Sequence, residues 1–223
     1  MKTGVSCPQK PSCEHLTRPV KRWYNDFIPR ERGAHMHRFS LMPDRMVMTY
    51  RDVSAAFLTE LEIKLLFVDI DNTLAPYEQP EPDEHILNWV ADLQGAGVEI
   101  VLVSNNNPER VERFNKDLGL KAYPKTGKPF SGDMKRHLKD SGLKPEQALV
   151  LGDQLITDAW AGHGLGIRTV IVPPIRDKRT WFFRFKRWLE RPVIRRYMKE
   201  HPEYVYPFEQ LKAAEGKQHA GVE

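Results

Sequence analysis

Leu65-Leu66-Phe67-Val68-Asp69-Ile70-Asp71-Asn72-Thr73 is the stretch on which the fold turns. Its first four residues form a continuous apolar run, the pattern of a strand buried on both faces of a parallel sheet. The run then ends in acid. Side chains alternate along a strand, so Asp69 and Asp71 point one way while Ile70 turns into the packing. Two carboxylates at a strand end repel each other unless a shared proton or a cation relieves them, and a hard divalent ion such as magnesium suits oxygen ligands. The plainer alternative is a helix N-cap pair or a solvated turn.

Outward from this stretch, strands and helices alternate. Ile86, Leu87, Val90 and Leu93 recur at helical spacing over residues 83–94, and Gly95 and Gly97 end that helix. Residues 98–103 form a second buried strand. Asn107-Pro108-Glu109 opens a helix, with an N-cap and a proline at its first position, that runs to Leu118 and stops at Gly119. A short strand over Lys121–Tyr123, a helix over 131–140 and strands over 148–151 and 168–172 complete the pattern. Such alternation implies right-handed βαβ units and an α/β, Rossmann-like, doubly wound parallel sheet. Ligands of these sheets bind beyond the carboxyl ends of the strands, so the chemistry is expected just after Val68, Val103, Tyr123 and Leu151.

Each of those points carries polar residues. Ser104-Asn105-Asn106-Asn107 offers a hydroxyl, amides and turn N–H groups that suit an anion, although Ser and Asn also favour ordinary turns. Lys125-Thr126-Gly127-Lys128-Pro129 supplies lysines able to neutralise both a phosphate and an attacking aspartate; the alternative is a solvated basic loop. Gly152-Asp153-Gln154-Leu155-Ile156-Thr157-Asp158 adds two more carboxylates. Four coincident loops on one edge explain this poorly. A single site explains it well.

These residues closely resemble the haloacid dehalogenase-like phosphatase superfamily over residues 38–172, and within it subfamily IIIA and the YqeG-like branch related to phosphatidylglycerophosphate phosphatases. DIDNT matches the DxDxT signature, Ser104 the second motif, Lys128 the third and GDxxxxD the fourth; LMPDRMVMTYRDV, GKPF and LGDQLITD fit the branch. The resemblance implies that Asp69 is a nucleophile forming an aspartyl-phosphate. Asp71 would protonate the leaving oxygen and then activate water. Thr73, Ser104, Asn105 and Lys128 would bind phosphate, and Asp69, Asp71 (through its main chain), Asp153 and Asp158 would hold Mg2+. Lys125 competes with Lys128 for the third motif, and Lys-Pro favours Lys128. The reading requires Asp69 and Asp153 to converge and both to stay reachable from solvent.

About thirty residues separate Thr73 from Ser104, and about two dozen separate Ser104 from Lys128. One helix and one strand fill each interval, so the domain is expected to be capless, with an open pocket suited to a large or surface-bound substrate.

The 223 residues, 40% hydrophobic and 29% charged, suit one α/β domain with extensions, expected as an irregular basic arm (1–37), the phosphatase-like domain (38–176), a basic aromatic segment (177–200) and a tail (201–223). No apolar run reaches a membrane span, and no secretory signal is visible, so a cytoplasmic protein is expected, with the inner face of the membrane as its candidate place of work. Cys7, Cys13 and His15 fall short of a structural zinc set. The net charge of +4 is unevenly spread: residues 178–199 hold nine Lys/Arg against a single acid, Glu190, whereas residues 39–177 hold 15 against 21.

Within 178–199, Trp181, Phe185, Trp188 and Leu189 recur at helical spacing, with Phe182 beside them and Arg184, Lys186, Arg187 and Arg191 between; Pro192 is expected to break or kink the helix. An apolar aromatic face with a basic flank suits a helix lying in an anionic membrane interface, or equally a helix packing its aromatics on the core. The substrate expected from these features is a phospholipid phosphate such as phosphatidylglycerophosphate. The alternatives are a soluble phosphatase for protein, nucleic-acid or small-molecule phosphates, and a non-catalytic RNA- or ribosome-binding module.

Overall fold

The computed structural model describes residues 40–130, 132–176 and 181–207. The arm over 1–37 with Cys7, Cys13 and His15, the tail beyond 207, and the side chains of Phe182 and Arg184 lie outside the described residues.

Among the described residues the sheet has six parallel strands: β1 (Arg45–Met46), β2 (Leu65–Val68), β3 (Glu99–Val103), β4 (Lys121–Tyr123), β5 (Ala148–Gly152) and β6 (Arg168–Ile171), in spatial order β1-β6-β5-β2-β3-β4. The apolar run of β2 sits at the centre, paired with β3 and β5 in the same register, so that Val68 lies beside Leu102 and Leu151. All four of its residues are buried, as a strand covered on both faces requires. The strand order reverses between β2 and β5, and the ends of β2, β3 and β5 meet at one edge there.

Helices α1 (Ala55–Glu60), α2 (Glu84–Gly95), α3 (Pro108–Asn115), α4 (Gly132–Asp140), α5 (Trp160–Gly164) and α6 (Trp181–Glu200) flank the sheet. The Asp83 carboxylate caps α2 by accepting the Ile86 N–H, and the Asn107 side chain caps α3 through the Arg110 N–H. Leu65 and Phe67 pack with Met134 and Leu138 of α4 on one face. One helix and one strand fill each interval between the site loops, and no cap domain interrupts residues 74–127.

Two expectations need correction, and two elements are added. The helix begun at Asn107 ends at Asn115 rather than Leu118, because the Asn115 side chain bonds both the N–H and the C=O of Leu120 and turns the chain toward β4. Strand β1 and helix α1 had no place in the sequence reading. α6 does not end at Pro192 but continues to Glu200. Losing one helical hydrogen bond there costs about 3 kcal/mol, and burial on both sides of the proline, at Glu190 before it and Ile194 and Tyr197 after it, offsets that cost.

The same helix divides the two alternatives for the aromatic segment. Its second half packs Ile194 and Tyr197 against Met46, Leu155, Ala159 and Ile171. Its first half leaves Trp181, Phe185, Trp188 and Leu189 exposed, with the Phe185 and Trp188 rings stacked 6.0 Å apart. Among the described residues, no helix is long and apolar enough to cross a membrane.

Candidate active site

Beyond Val68 the chain stays in register for one residue, the Asp69 N–H donating to the Leu151 carbonyl at 2.9 Å. It then tightens into a turn in which the N–H groups of Thr73, Leu74 and Ala75 converge on the Ile70 carbonyl. Asn72 takes the left-handed conformation (φ +66°), which asparagine tolerates better than most residues, and its side chain accepts the Arg176 N–H. The turn therefore fixes Asp69 and Asp71 against the chain leaving β6.

Lys128 ties the strand ends together. Its buried ammonium donates to Asp69 Oδ1 at 2.8 Å, to Asp158 Oδ1 at 2.6 Å and to the Val103 carbonyl at 2.9 Å, which uses all three of its protons. Burial alone would push this lysine down, but the carboxylates of Asp158 and Asp69 outweigh it and hold the ammonium charged. Lys125 is exposed. Asn105 clamps the Lys128 loop, accepting the Lys128 N–H at 2.8 Å and the Thr126 hydroxyl at 3.2 Å, and donating to the Lys128 carbonyl at 3.1 Å. Its side chain is thus committed to the loop. Ser104 Oγ accepts the Asn106 N–H, and Thr73 is buried with its hydroxyl unpartnered.

After β5 the chain forms one wide turn over Leu155–Ala159, the kind of local expansion often found at functional sites. It brings Asp158 back over Gly152, where only a glycine leaves room for the carboxylate. Oxygens of Asp69, Asp153 and Asp158 all lie within 4.8 Å of one another. Asp71 stands apart from this cluster: its carboxylate accepts from Asn106 Nδ2 at 3.0 Å and pairs with the Arg110 guanidinium at 3.2 Å.

Burial pushes Asp69 up to about 8 and Asp153 up to about 6. Four buried carboxylates, Asp69, Asp153, Asp158 and Glu190, face two cations, Lys128 and Arg187. The surplus of two negative charges on oxygen-only donors fits a divalent cation. Asp69 and Asp153 converge as expected, but the second condition needs correction. Asp153 is sealed from solvent because Arg187 of α6 lies over it, Nη2 to Oδ2 at 2.6 Å. Asp69 lines an open pocket of about 190 Å³, together with Asp71, Ser104, Asn105, Lys128 and Lys186.

These shifts give a signed expectation. An aspartate is protonated below about 3.8 in both the folded and unfolded states, so burial costs nothing there. As pH rises toward 8 the unfolded chain releases protons that the cation-free fold retains, and the stability of the cation-free protein falls. A divalent ion held at the cluster would bind the ionised carboxylates and reverse that loss. Saturating Mg2+ is therefore expected to raise the melting temperature by about 5–10 °C at pH 8 and by much less at pH 5, as scanning fluorimetry would show.

A strand-end acid cluster with a buried lysine, on a capless doubly wound sheet, defines a hydrolase centre. The chain belongs to the haloacid dehalogenase-like hydrolase family, whose model matches residues 44–166. It is 31% identical over 153 residues to the Bacillus subtilis (strain 168) protein named "Probable phosphatase YqeG", covering 69% of this chain and 89% of that one. Among solved structures it is similar to the cobalt-bound deoxy-D-mannose-octulosonate 8-phosphate phosphatase of Haemophilus influenzae (17% identity, 59% of this chain and 90% of that one, TM-score 0.41). It is also similar to the 3-deoxy-D-manno-octulosonate 8-phosphate phosphatase of Moraxella catarrhalis in complex with magnesium, phosphate and KDO (18% identity, 42% and 59%, TM-score 0.37).

Of the site residues, Arg110, Arg187 and Glu190 went unrecognised in the sequence, and Asn106 was read as part of an anion cradle rather than as the partner of Asp71. Asn106 and Arg110 sit in an ordinary helix start. Glu190 carried a signal, as the only acid within residues 178–199.

Proposed function

We propose that this hydrolase is a phosphatase that cleaves phosphate monoesters through an aspartyl-phosphate on Asp69, with Mg2+ as the ion at the acid cluster. The observation that carries the reading is the meeting of Asp69, Asp153 and Asp158 within 4.8 Å, with Lys128 bridging Asp69 and Asp158 at the pocket floor. The Asp69 carboxylate attacks phosphorus, and the ester oxygen leaves with a proton from Asp71. Asp71 stands outside the acid cluster, its direction set by Asn106 and Arg110, and so remains available for proton transfer. It then takes a proton from the water that hydrolyses the acyl phosphate. The Ser104 loop binds the transferring phosphoryl group, the Lys128 ammonium beside Asp69 offsets its negative charge, Asn105 holds the lysine loop in place, and Thr73 sits beneath the turn. When bound, Mg2+ at Asp69, Asp153 and the Asp71 main chain, with Asp158 in support, neutralises phosphoryl oxygen charge.

The finer reading is a membrane-borne substrate, a phospholipid phosphate such as phosphatidylglycerophosphate. The uncapped pocket supports it, as does the first half of α6, where Lys186 lines the pocket while Trp181, Phe185, Trp188 and Leu189 stand exposed. Exposed aromatics flanked by basic residues suit an anionic interface.

Turnover of para-nitrophenyl phosphate with Mg2+ tests the hydrolase reading, and a panel of lipid and soluble phosphates tests the substrate. Anionic liposomes are expected to float the protein and lipid phosphates to be preferred. An absence of flotation, with unchanged turnover after neutralising Lys186, Arg191 and Arg195, would favour a soluble ester instead.

A further inference from the structure

α6 reaches the acid cluster through two residues one helical turn apart. Arg187 Nη2 donates to Asp153 Oδ2 at 2.6 Å, and its Nη1 donates to the Asp153 main-chain carbonyl at 2.8 Å and to Glu190 Oε2 at 3.1 Å. Glu190 is fully buried, and its other oxygen accepts the Ile156 N–H at 3.2 Å. The pair therefore grips the loop after β5 at three points: a side chain, a carbonyl and an N–H. By contrast, Asp153 Oδ1 receives only a long 3.4 Å contact from the Gln154 amide.

We propose that Arg187 and Glu190 are positioning residues for Asp153, making the C-terminal helix part of the hydrolase centre; this rests on the reading of the acid cluster as a cation site. The guanidinium fork fixes the outer oxygen and the main chain of Asp153, which leaves Oδ1 to the ion. Groups that orient a ligating carboxylate in this way raise metal affinity by restricting the ligand to its working direction. A lone arginine beside a cation site would also repel the ion. Glu190 answers that: it neutralises the guanidinium, so the clamp supplies direction with no added positive charge. The requirement for both functions explains a fully buried glutamate in a helix rich in basic residues.

Three proteins test this at full length: wild type, Arg187→Lys, and the double variant Arg187→Leu/Glu190→Leu. Lysine keeps the charge but cannot fork between the carboxylate, the carbonyl and Glu190. The double variant removes the clamp without changing net charge. Mn2+ binding is measured by titration calorimetry and by the electron paramagnetic resonance spectrum of the bound ion, with melting temperatures taken in EDTA. The expected result is Mn2+ affinity lowered about 10- to 100-fold in both variants, with an altered spectrum. Affinity that is unchanged or tighter in the folded variants would overturn the proposal, since it would mean that the guanidinium only fills or guards the ion's place. A lower melting temperature with unchanged Mn2+ affinity would overturn it too, by reducing the pair to a structural brace. If the double variant does not fold, Arg187→Lys decides alone. A wild-type protein that binds no Mn2+ would instead remove the cation site, a different failure visible before any variant is made.

Discussion

Asp69→Asn is expected to lower Mg2+-supported turnover of para-nitrophenyl phosphate by at least about 10³-fold while leaving the fold intact. An amide oxygen is too poor a nucleophile to attack phosphorus, and the change also takes one negative charge from the cation cluster. The fold should tolerate it. Asparagine matches aspartate in shape, its oxygen can still accept from Lys128, and Lys128 keeps its 2.6 Å bond to Asp158. Burial pushes the Asp69 carboxyl up to about 8, so a neutral side chain suits the cation-free protein at neutral pH. Its melting temperature in EDTA should match or exceed that of wild type. Steady-state kinetics and thermal melts on the same preparation check both halves. Turnover within tenfold of wild type would mean that the nucleophile is some other group.

Gly152→Ala is the second large expectation. A methyl group at Gly152 would lie 2.2 Å from Asp158 Cγ and 2.5 Å from its Oδ2, distances that no packing accommodates. Asp158 cannot simply swing aside, because Lys128 holds one of its oxygens and the Gln154 N–H and Thr157 hydroxyl hold the other. The strain must pass to the lysine and the wide turn. Turnover should fall about 10²-fold from misplaced groups, and stability by about 1–3 kcal/mol from overpacking. Gly95→Ala is the matched control, since it sits in α2 with nothing within 4 Å of the added carbon. There the change should leave turnover alone and stabilise slightly. Equal losses in the two variants would disprove the steric account.

The central strands and the chemistry at their ends were legible because both signals are local. β2 announces itself by four buried apolar residues followed at once by acid, and the Asp153 loop after β5 follows the same grammar. β1 had no such voice. Its two residues are too few for any period, and they form a strand only because β6 offers them partners. The path of α6 past Pro192 was hidden for a related reason, since local propensity argues against it and distant packing decides. Asn106, Arg110 and Arg187 are ordinary polar residues whose partners lie about 35 positions away in the chain. Only a folded chain brings each to its acid. Glu190 differs, because a lone acid among nine basic residues already asked to be explained.

β1 closes one border of the sheet, and the amide it turns outward, that of Met46, is met by the Tyr197 hydroxyl of α6 at 2.9 Å. A strand border with idle amides is a template on which another molecule can add its own strand. The C-terminal helix thus doubles as a guard against self-templating. Fragments that stop short of residue 181 would bare that border and tend to clump, whatever the state of their catalytic residues.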